Sequence, residues 1–253
     1  LKDNTPPSIT FLTQLSGVTI DGISNFKMDW NARDNAGIKS ISFQYTSNGG
    51  NSWEEIINFK SKKESHIWQV PNLHSNKCKL KLKIEDINGF KNEVTSSMFS
   101  IRDITGPNLT VIAPLSGETY KEQEIVEVAV IAQDEYGLGL VELYFSTNGN
   151  DFNYLSNEAF TNDVTEDTVK FTIKIPEGMS DKTVFKFIGV DRFNNENEIT
   201  SNTFKVIDNT PPIVHFSMNL PSNEVGTGKA IIINWDGGDN FKLKSSLLEY
   251  SVD

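Results

Sequence analysis

The chain has 253 residues, 37% of them hydrophobic, and a formal net charge of −11. No apolar run approaches the length of about 20 residues that a membrane-spanning helix needs, so we expect no direct membrane insertion. The acidic charge is concentrated in residues 103–207, whose net charge is −11, and it argues against a nucleic-acid partner. Cys78 is the single cysteine, which excludes an internal disulfide.

Seven segments in the first hundred residues have the alternating or continuous apolar pattern that is typical of β-strands. In chain order they are SITFLT from Ser8, FKMDWNA from Phe26, IKSISFQYT from Ile38, WEEIINF from Trp53, SHIWQV from Ser65, KCKLKLKIED from Lys77 and EVTSSMFSI from Glu93. Turn signals separate them, and no stretch longer than a turn has a helical period. The pattern predicts an all-β fold, an immunoglobulin-like or fibronectin III-like β-sandwich. Within it, alternation in the sixth segment places Cys78 in the core.

The same pattern returns twice more along the chain. The phrase DNTPP begins at Asp3 and Asp208, and the variant DITGP begins at Asp103. In every copy an aspartate follows 31 positions later and an aromatic residue eleven positions after that: Asp34 and Tyr45, Asp134 and Phe145, Asp239 and Tyr250. Constant spacing predicts internal repeats. We expect domains at 1–102 and 103–207 and the N-terminal part of a third, truncated domain at 208–253, with the equivalent residues Trp30 and Trp235 in cores.

The recurring phrase stands at the junctions between the expected domains. Its prolines have no N–H group and a fixed φ, so they stiffen the junction and start a strand at a sheet edge. Residues 1–3 align with 101–103 and 206–208. We therefore expect the chain to be a segment of a longer array, with further domains of the same kind as covalent neighbours.

These junction phrases, together with WNARDNAGI, YTSNGGNSW, WQVPN and IEDINGF, resemble tandem bacterial immunoglobulin-like domains of large secreted and cell-surface proteins. The resemblance covers the whole chain, and fibronectin type III domains are the nearest alternative. It implies an extracellular, cell-surface or periplasmic location. The hairpin TSNGGNSW from Thr46 also resembles an Asp box with Asn48 in place of the aspartate, which implies a structural turn and not a catalytic site.

Aspartates recur at places that converge on one pole of such a sandwich: the N-terminus, the loop after the second strand and the last hairpin loop. They are Asp3, Asp34 and Asp86 in the first copy, Asp103, Asp134 and Asp191 in the second, and Asp208 and Asp239 in the third. Carboxylate oxygens are the ligands that Ca²⁺ prefers, so the sequence predicts calcium sites. The alternative, which the sequence favours, is that each aspartate accepts N–H bonds within its own turn.

A row of lysines occupies the strand around Cys78. Lys77, Lys79, Lys81 and Lys83 alternate with apolar residues, so they project from one face. This face is a candidate docking surface for an anionic glycan, a lipopolysaccharide phosphate or an acidic neighbouring domain. A surface glycan or a protein receptor is therefore a candidate partner. The alternative, again favoured, is a solvated face that prevents edge-to-edge aggregation.

The sequence contains no recognisable catalytic constellation. Its three histidines, His66, His74 and His215, stand at unrelated positions in the repeat, and no nucleophile, metalloprotease or phosphate-binding motif occurs. We therefore expect no enzymatic activity. The expected function is a stalk or adhesion segment that spaces and presents a distal head. The alternatives are an accessory region of a secreted hydrolase, which positions it or contacts carbohydrate, and a structural subunit of a surface layer or filament.

Overall fold

The computed structural model describes residues 3–161, 163–217 and 226–251. All regular secondary structure in these ranges is β-strand, so the predicted all-β fold is confirmed. The chain divides into two compact units, residues 1–105 and 106–253. The predicted boundaries after residues 102 and 207 stay predictions, and parts of the predicted domains (residues 1–2, 162, 218–225 and 252–253) lie outside the described residues. No helix in the described ranges is long and apolar enough to cross a membrane.

The first unit is a sandwich of two sheets. Its strands are β1 (Ser8–Phe11), β2 (Thr19–Asp21), β3 (Asn25–Arg33), β4 (Ile38–Thr46), β5 (Glu54–Phe59), β6 (Ser65–Gln69), β7 (Ser75–Asp86), β8 (Lys91–Thr95) and β9 (Phe99–Arg102). One sheet has the order β1-β3-β6, and the other has the order β2-β9-β7-β4-β5, with β8 also paired to β7. β2 and β9 are parallel. This order defines the immunoglobulin-like fold.

Nine strands form where the sequence predicts seven, because the last predicted strand is interrupted and a short extra strand, β2, follows the first. The interruption lies at Ser96, where the side chain enters the ladder. The Leu80 N–H donates to Ser96 Oγ over 2.9 Å, and the Ser96 N–H donates to the Leu80 carbonyl over 2.8 Å. As a result β8 and β9 both pair with β7, at different places along it.

The core of the first unit follows from the two-residue period of its strands. β3 buries Met28, Trp30 and Ala32, and its intervening side chains point away from the core. β7 buries Cys78 in the same way, as the alternation predicts, and burial raises the pKa of the thiol. Inward residues of both sheets form one cluster, which is what a two-layer sandwich requires.

The second unit repeats this arrangement. Its strands are β10 (Asn108–Ala113), β11 (Thr119–Lys121), β12 (Ile125–Gln133), β13 (Leu138–Ser146), β14 (Asn153–Ala159), β15 (Glu166–Lys174), β16 (Ser180–Asp191), β17 (Glu196–Thr200), β18 (Phe204–Ile207), β19 (Ile213–Phe216) and β20 (Trp235–Gly238). The sheets run β10-β12-β15 and β11-β18-β16-β13-β14, with β17 on β16, and β19 pairs with β20 separately. β11 and β18 are parallel, like their counterparts in the first unit.

Strand register confirms that the three copies are aligned as the spacing indicates. The equivalent cross-strand pairs are Phe11 with Trp30, Val111 with Val130, and Phe216 with Trp235. The expectation that Trp235 is a core residue is wrong for the described structure, because Trp235 is 44% exposed whereas Trp30 is 1% exposed. In the described part of the third copy only β19 and β20 pair, and no second sheet faces them.

Candidate functional sites

The aspartate that opens each junction phrase forms the same turn in all three copies. Its Oδ1 accepts the N–H of the threonine two residues later, over 3.0 Å from Thr5 to Asp3, 3.1 Å from Thr105 to Asp103 and 2.8 Å from Thr210 to Asp208. The bond from Thr5 is the main cause of a lowered pKa at Asp3. Asp-x-Thr therefore specifies a local turn before the strand begins.

The second aspartate of each copy also organises its own loop. Asp34 Oδ1 accepts the N–H groups of Ala36 and Gly37, both over 2.8 Å. Asp134 and Asp239 accept the equivalent pairs of N–H groups in their copies. The turn-forming role is therefore real for every copy, and it occupies one carboxylate oxygen of each aspartate.

The third aspartate shows a difference between the copies. Asp86 Oδ1 accepts the N–H groups of Asn88 and Phe90 over 2.8 and 2.9 Å. Asp191 Oδ1 makes the equivalent bonds, but its Oδ2 also accepts the side-chain amide of Asn195 over 2.7 Å. Asn195 stands where the first copy has Phe90, so the first copy has no amide in that place.

Three of the predicted ligands meet in the first unit. Asp3, Asp34 and Asp86 each present one carboxylate oxygen, and these oxygens lie within 4.8 Å of one another. Asp86 is fully buried, and the other two are half-buried. The Oδ2 atoms of Asp34 and Asp86 are buried and have no hydrogen-bond partner. A buried acceptor without a donor costs about 1–3 kcal/mol, and more when it is charged. The turn-forming role does not account for these two oxygens.

Two asparagines join the loops of this cluster to Asp3. Asn35 donates its side-chain amide to Asp3 Oδ1 over 3.1 Å, and Asn88 donates to Asp3 Oδ2 over 3.0 Å. Rotation of either amide by 180° would present its Oδ1 in place of the NH₂ group. The cluster therefore contains up to two further oxygen ligands.

The remaining predicted ligands are placed as follows. Asp103 is buried and belongs to the first unit, whereas Asp134 and Asp191 belong to the second. Asp208 and Asp239 form no group of three metal-ligating side chains within the described residues. Calcium binding at these five positions stays a prediction.

Side chains that the sequence analysis missed hold the junction threonines. In the first unit Asn72 donates its amide to Thr105 Oγ1 over 2.9 Å. In the second unit the equivalent Thr210 donates its hydroxyl to Glu122, a fully buried carboxylate. Glu122 aligns with Gly22 in the first copy. A Cβ at Gly22 would lie 2.6 Å from Asn72 Oδ1. The residue that contacts the junction threonine therefore follows β6 in the first copy and β11 in the second.

Glu122 has an unusually rich set of donors. It accepts the Asn240 amide over 2.8 Å and the N–H groups of Gly178 and Asn209 over 3.2 and 3.3 Å, in addition to the Thr210 hydroxyl. These bonds, led by the one from Thr210, lower the pKa of Glu122 to about 2. The only sequence signal was the replacement of a glycine by glutamate in an aligned turn.

The proline side of each junction is held as well. Asn92 donates to the Pro7 carbonyl over 2.9 Å, and the equivalent Asn197 donates to the Pro107 carbonyl over 3.1 Å. Between the anchored Thr105 and Pro107 stands only Gly106. A Cβ on Gly106 would lie 2.3 Å from the carbonyl carbon of Glu196, so this close backbone approach requires glycine.

The lysine row is only partly available for docking. Lys81 lies over the ring of Trp53 at 4.1 Å from its centroid and within 3.8 Å of Glu93. In the second unit Lys186 is placed in the same way, over Phe152 and beside Glu198. This repeated contact joins two neighbouring strands, which carry the lysine and the glutamate, to the residue that precedes β5 or β14. Lys77 and Lys83 are exposed and Lys79 is half-buried, and docking at these three lysines stays a prediction.

The turn between β4 and β5 is built around Asn48. Its Oδ1 accepts the Thr46 hydroxyl over 2.8 Å and the Ser52 N–H over 3.0 Å. Gly49 and Gly50 have φ values of 78° and 111°, which favour glycine. The side-chain amide therefore closes the turn, which is a structural role, and the resemblance to an Asp box stays a prediction.

No protein-family model matches this chain, and no curated protein sequence matches it. Among solved structures, the chain is similar to fibronectin(III)-like modules of CbhA from Clostridium thermocellum, with 14% identity, a TM-score of 0.35, and coverage of 79% of this chain and 95% of that one. It is also similar to latent PorU from Porphyromonas gingivalis, with 12% identity, a TM-score of 0.31, and coverage of 87% and 26%. A segment of titin matches with 12% identity, a TM-score of 0.34, and coverage of 79% and 99%.

Proposed function

We propose that this chain is a non-enzymatic stalk or adhesion segment of a bacterial extracellular or cell-surface protein, which spaces and presents a distal head. The observation that carries the proposal is the parallel pairing at the ends of both sandwiches. β2 pairs with β9 in the first unit, and β11 pairs with β18 in the second.

This pairing favours resistance to end-to-end force. A pull on the N-terminal side of β2 and on the C-terminal side of β9 acts in opposite directions along two parallel strands. The hydrogen bonds between them are therefore loaded together in shear and do not open one at a time. Ser100 donates to the Val18 carbonyl over 2.9 Å, and Gly22 donates to the Arg102 carbonyl over 2.9 Å.

The anchored junctions support a spacer in a second way. A flexible linker makes an inefficient spacer, because the end-to-end distance of a flexible chain grows only with the square root of its length. Here Thr105 is bound by Asn72 and Pro107 is bound by Asn197, so a single residue separates the two anchored positions. Thr210 is bound by Glu122 in the same sense.

Single-molecule force spectroscopy on the full chain, held at its two ends, tests the proposal. We expect two distinct unfolding events, each releasing roughly 300 Å of chain, as about 100 residues would. Ser100→Pro removes a donor between β9 and β2, and Lys205→Pro removes the equivalent donor to Glu118. Each substitution should lower the force of one event and leave the other unchanged, so each sandwich is the control for its neighbour.

The proposal would be overturned if both sandwiches extended without distinct force events, or if neither proline substitution changed its event. Those results would favour the alternative of an accessory region that only positions a hydrolase. Concentration-dependent assembly of the chain, sensitive to salt, would instead favour the alternative of a surface-layer or filament subunit.

A further inference from the structure

The pole of the first sandwich contains three carboxylates from three separate chain segments. Asp3 comes from the junction phrase, Asp34 from the loop after β3 and Asp86 from the end of β7. No ion pair to Lys, Arg or His reaches any of the three among the described residues. The negative charge of the cluster therefore has no protein counter-ion in the described structure.

Two carboxylate oxygens of this cluster are buried without a hydrogen-bond partner. Asp86 is fully buried, and its Oδ2 has no donor, although its Oδ1 accepts two N–H groups. Asp34 repeats this division between a bonded Oδ1 and a buried, unpartnered Oδ2. Buried polar atoms are almost always satisfied, and an exception requires an explanation such as an ion. We infer that Asp3, Asp34 and Asp86 bind a Ca²⁺ ion.

The chemistry of the cluster suits calcium better than other cations. All available ligands are hard oxygens, and no histidine or cysteine belongs to the group, which disfavours zinc. Ca²⁺ accepts six to eight oxygens in irregular geometry, whereas Mg²⁺ requires a near-ideal octahedron. Carboxylates from three loops, with the rotatable amides of Asn35 and Asn88 beside them, match the looser requirement.

The second unit offers an internal comparison for the orphaned oxygen. There Asp191 Oδ2 accepts the amide of Asn195, so that oxygen needs no ion. The first unit has Phe90 in this place and leaves Asp86 Oδ2 buried without a donor. A bound ion would also fasten the junction phrase, through Asp3, to the two loops that carry Asp34 and Asp86.

Unfolding of the full chain, followed by tryptophan fluorescence, tests the inference. Three of the four tryptophans, Trp30, Trp53 and Trp68, lie in the first unit, and the fourth is Trp235, so the signal reports mainly on the sandwich with the site. With CaCl₂ about tenfold above its Kd we expect Tm to rise by at least about 5 °C relative to chelator. Calorimetric titration with CaCl₂ should give a matching heat of binding, and MgCl₂ a weaker one.

Asp86→Asn makes the test specific. The asparagine keeps an oxygen for the two loop N–H groups and removes one negative charge from the cluster. We expect the variant to be at least as stable as the wild type in chelator and to lose the calcium response. If Asp86 only formed the turn, the difference in stability between Asp86→Asn and the wild type would be the same in calcium and in chelator. Asp29→Asn, at an aspartate paired with Lys27 and outside the cluster, should keep the full response.

Two results would overturn the inference. One is the absence of a Tm shift and of binding heat at about 5 mM Ca²⁺, beyond the weakest range of extracellular calcium modules. The other is a full calcium response in Asp86→Asn. If that variant does not fold, Asp34→Asn decides the question, because Asp34 contributes the second orphaned oxygen.

Discussion

Replacing Glu122 by alanine should loosen the attachment of the junction phrase in the second unit. The change removes the acceptor of two side-chain donors, on Thr210 and Asn240, and of two backbone donors, on Gly178 and Asn209. A hydrogen bond to a charged group contributes about 1.5–3 kcal/mol. Water replaces part of this for the more exposed donors, so we expect a net loss of about 2 kcal/mol, which is roughly 30-fold in the opening equilibrium.

Native-state hydrogen exchange measures this loss directly. The N–H groups of Gly178 and Asn209 donate to Glu122, so their protection should fall by about 30-fold in Glu122→Ala. Glu124→Ala is the matched control, because Glu124 stands in the same turn but is exposed, and among the described residues its carboxylate accepts one bond, from the Lys121 N–H. Unchanged protection in Glu122→Ala, or an equal loss in the control, would refute the reasoning.

Three further outcomes follow from the junctions. Gly106→Ala should destabilise the second unit by about 2–3 kcal/mol, seen as a lower Tm in calorimetry, because its Cβ would overlap backbone atoms. The control for this change is Gly238→Ala in β20, whose Cβ would meet nothing within 4 Å and which should stay within about 0.5 kcal/mol of the wild type. Asn72→Ala should cost about 1 kcal/mol in tryptophan-detected urea unfolding, because Thr105 loses its donor. The folded-state pKa of Glu122 is depressed from 4.5 to about 2. The ionised carboxylate therefore adds to the free energy of unfolding above pH 4.5, and this stabilisation is lost as the pH falls towards 2. Urea unfolding at pH 6 and pH 3 should show a stability loss about 2 kcal/mol larger in the wild type than in Glu122→Gln, whereas equal losses would contradict it.

Local patterns in the sequence determined the repeat register, the burial of Cys78 and the strands of the first unit, apart from β2 and the interruption between β8 and β9. A strand exposes alternate residues to opposite faces, so a two-residue period predicts which side chains share a face. That face is buried where a second sheet covers it, as at Trp30, and not at Trp235 in the described structure. Constant spacing from Asp3, Asp103 and Asp208 then fixed the alignment of the copies, and the pairs Phe11 with Trp30 and Phe216 with Trp235 confirm it. The turn-forming role of the aspartates was also accessible, because its partners are neighbours in sequence.

Tertiary structure alone decided which polar groups are buried and which of their atoms have partners. Glu122 looks like a surface residue of a charged turn, yet donors 56 to 118 positions away surround it. The orphaned Oδ2 of Asp86 and the satisfied Oδ2 of Asp191 differ through one residue, Phe90 in the first copy and Asn195 in the second. Burial of a polar atom depends on the segments that pack around it, and those segments are distant in sequence. The periodicity of a single segment therefore does not predict which distant segments will pack against it.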